Sequence, residues 1–152
     1  MRRFFIYAMP RSGSAWLANF LTYSGLFCQH EPLAGGSFRF SDYPVSGAVD
    51  TGAAFIGYEP PDGTLIFHLS RNVTDVAKSL RAIGLEPYDF ANYWTGGFQY
   101  ERLFDIGYLR ELWIEVTRFP FDRERTLALM RMNVQTDLNQ LRTLLWRGLQ
   151  RQ

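Results

Sequence analysis

Three residue types with strong chemical roles are scarce in this chain of 152 residues, which has one cysteine, two histidines and one lysine. The single Cys28 excludes a disulfide framework and fits a reducing compartment. The histidines and the cysteine lack the spacing of metal ligands, so we predict no metal site. No run approaches the roughly 18 apolar residues of a membrane span, and the apolar run after Arg3 is too short for a signal peptide. The sequence therefore predicts a cytoplasmic protein without a membrane span.

Net charge is also low, at +1, which argues against a general nucleic-acid-binding protein. The charges are unevenly distributed along the chain. Residues 41–70 contain four acids and neither lysine nor arginine, whereas residues 118–152 contain seven arginines and three acids. If the basic ends of the chain meet in space, they form a face that attracts anions. Arginines spread over solvated helix faces would give the same composition.

Hydrophobic residues make up 47% of the chain and aromatic residues 16%, enough for the core of one domain over residues 1–152. Strand-like runs alternate with helical patterns, which predicts a three-layer α/β/α fold with a central parallel sheet. The predicted strands are 4–8, 26–32, 64–70 and 126–131, and the predicted helices are 14–25, 72–83, parts of 88–119, and a last one with Leu138, Leu141, Leu145 and Leu149. Residues 33–63 are predicted to be an irregular insertion with a minor strand at 53–58.

The first predicted strand runs directly into a short loop and a helix. Residues 4–8 are apolar and uncharged, as in a strand buried on both faces. Pro10 and Gly13 interrupt this run, and a helical stripe of apolar residues starts after Ser14 and ends near Gly25. The backbone N–H groups of such a loop, together with the helix dipole, favour the binding of phosphate or sulfate.

This loop differs from the Walker A sequence, which has a lysine and a hydroxyl residue after its second glycine. Here Gly13 is followed by Ser14 and Ala15, and the one lysine is Lys78. The cation of the loop is Arg11, whose guanidinium can fork onto two oxygens of a phosphate or sulfate.

A second arginine follows another predicted strand. Arg71 comes directly after the strand 64–70, and Ser79 lies eight residues later, about two turns into the predicted helix. An arginine at the carboxyl end of a strand faces the crevice in which open parallel sheets bind ligands. His68, within the same strand, is predicted to be a core histidine.

The two segments resemble those of sulfotransferases that use 3′-phosphoadenosine 5′-phosphosulfate (PAPS). Segment 10–17, P-R-S-G-S-A-W-L, is similar to the 5′-phosphosulfate loop of that family, although Ala15 replaces a second hydroxyl residue and Trp16 stands one place early. Segment 71–79 is similar to the family's 3′-phosphate motif, an arginine followed by a serine eight residues later. The resemblance covers the first half of the chain, and the Gly- and Lys-bearing C-terminal motif of the cytosolic animal members is absent.

The resemblance implies a P-loop nucleotide-binding fold and the transfer of a sulfuryl group from PAPS to a hydroxyl or amine. The acceptor would be a small molecule, a carbohydrate or a protein, and 3′,5′-diphosphoadenosine would be the second product. Arg11 would be catalytic, because it would neutralise charge on the leaving oxygen, and no metal ion is required. The residues that the two motifs imply for cofactor binding are Pro10, Arg11, Ser12, Gly13, Ser14, Ala15, Trp16, Arg71 and Ser79.

The family has its general base near the end of the second strand, where His30 and Glu31 adjoin in this sequence. Neighbouring side chains of a strand point to opposite faces, so only one of the two can face the acceptor unless Pro32 has already turned the chain. A histidine works as a base near neutral pH, whereas a carboxylate needs burial to become a stronger base. The sequence H-E-P-L resembles a pattern of sulfotransferases that act on carbohydrates and proteins, which favours Glu31 as the base and His30 as its orienting partner.

Two other functions are compatible with the sequence. A non-catalytic nucleotide-binding domain, as in a viral or scaffold protein, is favoured by the short chain and by the missing C-terminal motif. A nucleotide kinase is disfavoured, because the loop lacks both the lysine and the hydroxyl residue that binds Mg²⁺.

Overall fold

The computed structural model describes residues 1–35, 38–86 and 96–133. The strands in these ranges are β1 (Arg2–Ala8), β2 (Leu26–His30), β3 (Val45–Asp50), β4 (Leu65–Ser70) and β5 (Phe98–Gln99). The α-helices are α1 (Ser14–Phe20), α2 (Val73–Arg81), α3 (Ile106–Thr117) and α4 (Arg123–Met130), with short 3₁₀ helices at Pro32–Gly35 and Tyr100–Arg102. Within the same ranges, no helix is long and apolar enough to cross a membrane.

The five strands form one sheet in the order β2-β3-β1-β4-β5, and every neighbouring pair is parallel. β1 is central, with Phe5 opposite Ala48 of β3 on one side and Ile66 of β4 on the other. Because the strands run in the same direction, their carboxyl ends lie at one edge of the sheet, where open α/β sheets bind ligands. The predicted α/β class with a parallel sheet is confirmed.

The two faces of β1 pack against different parts of the chain, as alternation along a strand requires. Phe4 and Ile6 are fully buried in the main core, to which α1, α3 and α4 also contribute. Phe5 points the other way and packs with Ala48 and Ala53 in a smaller cluster. Burial on both faces holds β1 at the centre of the sheet, and its carboxyl end leads into the loop that precedes α1.

Gly47 of β3 faces the ring of Phe4, and a side chain at this position would collide with it. A Cβ atom on Gly47 would lie 2.2 Å from Phe4 Cζ, and the ring has no room to move because Phe4 is fully buried. We expect Gly47→Ala to lower the free energy of unfolding by about 1–3 kcal/mol, as measured by urea denaturation. Gly52→Ala is the control, because its Cβ would approach only Asp50 Oδ1, at 3.4 Å. Equal stability of the two variants would contradict this account.

β3 lies inside the segment 33–63, so the prediction that this segment is an irregular insertion is wrong. All six residues of β3 are buried, and the strand is inserted between β1 and β2. Its sequence, V-S-G-A-V-D, contains small and polar residues, because large neighbours such as Phe4 occupy the space around it. It therefore lacks the apolar run that marks a buried strand. The minor strand predicted at 53–58 is also wrong, since these residues form turns and an unstructured connection.

The segment 126–131 is part of α4 and is not the predicted strand. Asp122 caps this helix by accepting a hydrogen bond from the N–H of Arg125 at 2.9 Å, and its carbonyl accepts one from the hydroxyl of Thr126 at 2.8 Å. The run from Leu127 to Met130 is continuously apolar, and such a run has no periodicity that separates a strand from a helix. The cap at Asp122 is the feature that distinguishes a helix from a strand in this segment.

Arg125 anchors α4 to the C-terminal end of α1. Its guanidinium donates hydrogen bonds to the carbonyl oxygens of Asn19, Phe20 and Thr22 at 2.7–3.0 Å and lies over the ring of Tyr23 at 4.4 Å. Burial lowers the pKa of Arg125 to about 10, so the side chain is still charged at neutral pH. A cation at the C-terminal end of a helix is stabilised by the helix dipole.

Three further predictions concern element boundaries. The strands predicted at 26–32 and 64–70 and the helix predicted at 72–83 are confirmed, with the bounds of β2, β4 and α2 given above. The first helix ends at Phe20 and does not reach Gly25, which has a φ of 78° in the turn before β2. The predicted helix around Leu138 and residues 88–95 of the segment 88–119 lie outside the described residues.

Candidate functional site

A cavity of about 560 Å³ opens at the carboxyl edge of the sheet, within the size range of small-molecule sites. Its walls come from the loops that follow β1, β2, β3 and β4, from the end of α2 and from the 3₁₀ helix after β5. The lining residues are Pro10, Arg11, Gly13, Ser14, Ala15, His30, Glu31, Thr51, Gly52, Phe55, Arg71, Leu80, Ile83, Leu85 and Tyr100. The cavity therefore brings together side chains from both sequence motifs and from the end of β2.

The loop between β1 and α1 has the sharp backbone that an anion-binding loop requires. Arg11 and Gly13 both have positive φ angles, 60° and 78°, and a Cβ atom on Gly13 would lie 3.1 Å from the ring of Tyr100. Gly13 is the N-cap of α1 and offers no side-chain acceptor to the first turn. In contrast, α2, α3 and α4 are capped by Asn72, Asp105 and Asp122. The α1 terminus at the cavity wall thus lacks the internal cap that the other three helices have.

The two sequence motifs are in direct contact. Arg11 Nε donates a hydrogen bond to Ser79 Oγ at 2.9 Å, and Arg71 Nη1 donates one to the carbonyl oxygen of Arg11. The Arg71 guanidinium lies 4.2 Å from the centroid of the Tyr100 ring, which fixes its plane. Its Nε is buried and has no hydrogen-bond partner among the described residues. Two guanidinium groups thus line the cavity, and a hydroxyl is bonded to one of them. This is a suitable environment for phosphate or sulfate oxygens.

His30 and Glu31 both line the cavity, although they are adjacent in sequence. Glu31 has a φ of 49°, so the alternation of β2 ends at His30 and both side chains turn to the same side. His30 Nε2 lies 3.1 Å from Ser14 Oγ and 3.5 Å from Glu31 Oε1. Both His30 and Glu31 can therefore face an acceptor, because the chain has already turned before Pro32.

Not every residue that the resemblance implies contributes a side chain to the cavity. Ser12 is fully buried and Trp16 packs in the core, with its ring stacked on Phe20 and its N–H bonded to the carbonyl of Leu129. Ser79 is not in the lining itself but reaches the site through Arg11. Trp16 is thus a packing residue that holds α1 against α4. Ser12 does not line the cavity, and its buried hydroxyl has no hydrogen-bond partner among the described residues.

His68, predicted to be a core histidine, lies away from this cavity. It is partly buried and stacks on the ring of Tyr7 at 5.7 Å. It lines a second cavity, of about 350 Å³, beside β4 and α3. Burial lowers the pKa of His68, which agrees with a packing position and not with a charged one.

The sequence did not reveal seven of the lining residues, which are Thr51, Gly52, Phe55, Leu80, Ile83, Leu85 and Tyr100. Thr51 follows β3 directly, so the rule that ligands bind at the carboxyl ends of parallel strands would have found it had β3 been recognised. Tyr100 and Phe55 follow no pattern that distinguishes them from the other aromatic residues of the chain. The structure brings all seven to the wall of the same cavity.

Comparison of the chain with protein-family models, with curated proteins and with solved structures found no match in any of the three. The class of the protein therefore follows from its own geometry. It is an α/β protein with a parallel sheet, and two arginines, a serine and a histidine–glutamate pair meet at the carboxyl edge of that sheet.

Proposed function

We propose that the protein is a PAPS-dependent sulfotransferase with a P-loop-type, three-layer α/β/α fold. One observation carries the proposal: Arg11, Arg71 and Ser79, which lie up to 68 residues apart, are linked by hydrogen bonds, and Arg11 and Arg71 line the same cavity as the His30–Glu31 pair. The first group suits the anionic ends of a nucleotide, and the second suits the proton of an acceptor.

The two arginines have separate roles in this proposal. Arg71 and Ser79 would hold the 3′-phosphate, since the Ser79 hydroxyl accepts from Arg11 and keeps its own hydrogen for an anion oxygen. The loop N–H groups of Gly13 and Ser14, which line the cavity, would hold the 5′-phosphate. Arg11, within that loop, would neutralise the negative charge that develops on the bridging oxygen as it leaves. The cavity is large enough for such a ligand.

PAPS would supply the sulfuryl group, which moves in line to a hydroxyl or amine of the acceptor and leaves 3′,5′-diphosphoadenosine. The acceptor atom forms a new bond to sulfur as the bond from sulfur to the 5′-phosphate oxygen breaks. The proton of the acceptor passes to a base of the chain. The residues required are thus a cation near the leaving oxygen and a base on the opposite side of the sulfuryl group, as Arg11 and the His30–Glu31 pair would provide.

The hydrogen bonds around the pair support His30 as the base, whereas the sequence pattern favours Glu31. The Glu31 carboxylate already accepts hydrogen bonds from the N–H and the hydroxyl of Thr51, so the end of β3 holds it in place. His30 Nε2 lies 3.1 Å from Ser14 Oγ and 3.5 Å from Glu31 Oε1, so the imidazole has polar partners on two sides. We therefore assign proton transfer to His30 and its support to Glu31.

The choice of nucleotide tests the proposal. Because Arg71 and Ser79 would bind a 3′-phosphate, we expect 3′,5′-diphosphoadenosine to bind at least about 10-fold more tightly than AMP, a difference of about 1.4 kcal/mol, in isothermal titration calorimetry. Arg71→Ala should abolish this preference. Arg102→Ala is the matched control, because Arg102 also stacks on a tyrosine ring, at 4.1 Å from the centroid of Tyr108, but does not line the cavity.

Equal affinity for the two nucleotides in the unaltered protein would remove the 3′-phosphate assignment. Tighter binding of ATP than of 3′,5′-diphosphoadenosine would point to a nucleotide kinase. A clear preference for 3′,5′-diphosphoadenosine without transfer from PAPS to any hydroxyl or amine compound would point to a non-catalytic nucleotide-binding domain.

A further inference from the structure

The end of β3 holds Glu31 by both its backbone and its side chain. The Glu31 N–H donates a hydrogen bond to the carbonyl of Val49 at 2.9 Å. Thr51 Oγ1 donates to Glu31 Oε1 at 2.8 Å, and the Thr51 N–H lies 3.2 and 3.1 Å from the two carboxylate oxygens. The hydroxyl contact is the shortest of these, and it goes to the carboxylate oxygen that faces His30.

Thr51 is itself fixed by the residue before it. Asp50 is buried, and its Oδ1 accepts hydrogen bonds from the N–H groups of Gly52 and Ala53, each at 2.8 Å. Its Oδ2 accepts from the N–H of Leu33 at 3.1 Å, in the 3₁₀ helix just after Glu31. The loops that follow β2 and β3 are therefore clamped together on both sides of the contact between Thr51 and Glu31.

Glu31 depends on this support because of its backbone. With a φ of 49° it has a left-handed conformation that residues with a side chain rarely adopt. In this conformation the carboxylate reaches His30 Nε2, at 3.5 Å. The hydrogen bond that Glu31 N–H donates to Val49 fixes the backbone, and the bonds that Thr51 donates fix the carboxylate.

We propose that Thr51 is a positioning residue whose hydroxyl holds the Glu31 carboxylate against His30. The role of Thr51 in catalysis rests on the proposed function, in which His30 receives the proton of the acceptor. The role of Thr51 in holding the pair does not rest on the proposed function, since the contact between His30 and Glu31 exists in the protein without any ligand. The first can be tested by kinetics and the second by spectroscopy.

The spectroscopic experiment compares the NMR chemical shifts of the His30 imidazole C–H groups among variants at one pH. The chain has two histidines, so His68→Gln identifies which signal belongs to which, and His68 serves as an internal control. Thr51→Val replaces the hydroxyl with a methyl group and keeps the N–H, and Thr51→Ser keeps the hydroxyl. The other charged side chains that line the cavity, Arg11 and Arg71, are the same in all variants.

We expect the His30 C–H signals to move in Thr51→Val, because the Glu31 carboxylate beside the imidazole ring is then less well held. In Thr51→Ser they should stay near their original positions. Unmoved His30 signals in Thr51→Val, or equal movement in both variants, overturn the proposal. If Thr51→Val does not fold, Thr51→Ala removes the same hydroxyl without a new methyl group and is judged by the same criteria.

The kinetic experiment then tests the catalytic consequence. With an acceptor that the protein sulfates, kcat should fall about 10-fold or more in Thr51→Val, because misplacing a catalytic group costs up to about 100-fold. KM for PAPS should change less than kcat, because the lost hydroxyl contacts the Glu31 carboxylate and the residues assigned to the cofactor are unchanged. Thr51→Ser should restore the rate. An unchanged kcat together with the NMR shift would mean that Thr51 holds the pair but that the pair is not the base, which separates failure of the proposed function from failure of the positioning role.

Discussion

Arg11→Ala should lower kcat for sulfuryl transfer by about 100-fold or more, while the protein stays folded and still binds 3′,5′-diphosphoadenosine. Arg11 is exposed and lies in the loop that would hold the 5′-phosphate, so its loss removes the charge that offsets the negative leaving oxygen. Binding of the product should weaken less, because Arg71 and the loop backbone remain. Formation of 3′,5′-diphosphoadenosine from saturating PAPS, with the first acceptor found in a screen of hydroxyl and amine compounds, measures the rate.

Two further variants show whether the effect belongs to the charge. Arg11→Lys keeps a cation but cannot form the same fork, so it should retain part of the activity. Ser79→Ala removes the hydroxyl that accepts from Arg11 Nε, and it should weaken nucleotide binding more than it lowers kcat. Full activity of Arg11→Ala would contradict the role in leaving-group stabilisation, whatever the other two variants show.

The parts of the fold that could be predicted are those with a strong local signal. β1 and β4 are apolar runs, and the helix after Arg71 begins with a capping residue, Asn72, that accepts from the N–H groups of Thr74 and Asp75. These elements carry both motifs, so predicting them was enough to place Arg11 and Arg71 at the same edge of the sheet. Parallel strands make this inference possible, because their carboxyl ends coincide wherever they stand in the sequence.

The parts that could not be predicted depend on tertiary packing. β3 consists largely of small residues, because Gly47 must leave space for the ring of Phe4, and a strand of that kind resembles a loop in sequence. α4 is different, because its cap at Asp122 is a local signal that the prediction of a strand overlooked. The bond from Arg125 to the carbonyl of Phe20 joins residues 105 positions apart, and a local pattern contains neither this bond nor the contact of Gly47 with Phe4.

The candidate site also has a part that the sequence predicts and a part that depends on tertiary packing. The sequence indicated that His30 and Glu31 stand at the end of β2, but alternation along a strand would have separated their side chains. A single left-handed residue, Glu31, brings them together, and it is held by Thr51, from a strand that the sequence did not reveal. The residue types of the pair could be read from the sequence, whereas its arrangement could not.

That arrangement leads to the second large effect, which concerns the general base. We expect His30→Asn to lower kcat by about 100-fold or more and to remove the acidic limb of the dependence of kcat on pH. The reason is that a protonated imidazole cannot accept the proton of the acceptor, so replacing the imidazole removes the limb. Asparagine is close in size to histidine, and Ser14 keeps a polar neighbour. Initial rates between pH 5 and 9 at saturating PAPS provide the measurement.

Glu31→Gln is the matched variant, because it keeps the shape of the side chain and removes its charge. We expect it to lower kcat by about 10-fold and to keep the acidic limb, because the His30 imidazole remains and only the charge that lies 3.5 Å from its Nε2 is lost. If Glu31→Gln alone removes the limb, the base is Glu31, as the H-E-P-L sequence favours. If each variant removes the limb completely, the two side chains share one proton and titrate as a pair. A retained limb and a nearly normal rate in His30→Asn would show that His30 is not the base, because asparagine has no imidazole nitrogen that could take the proton.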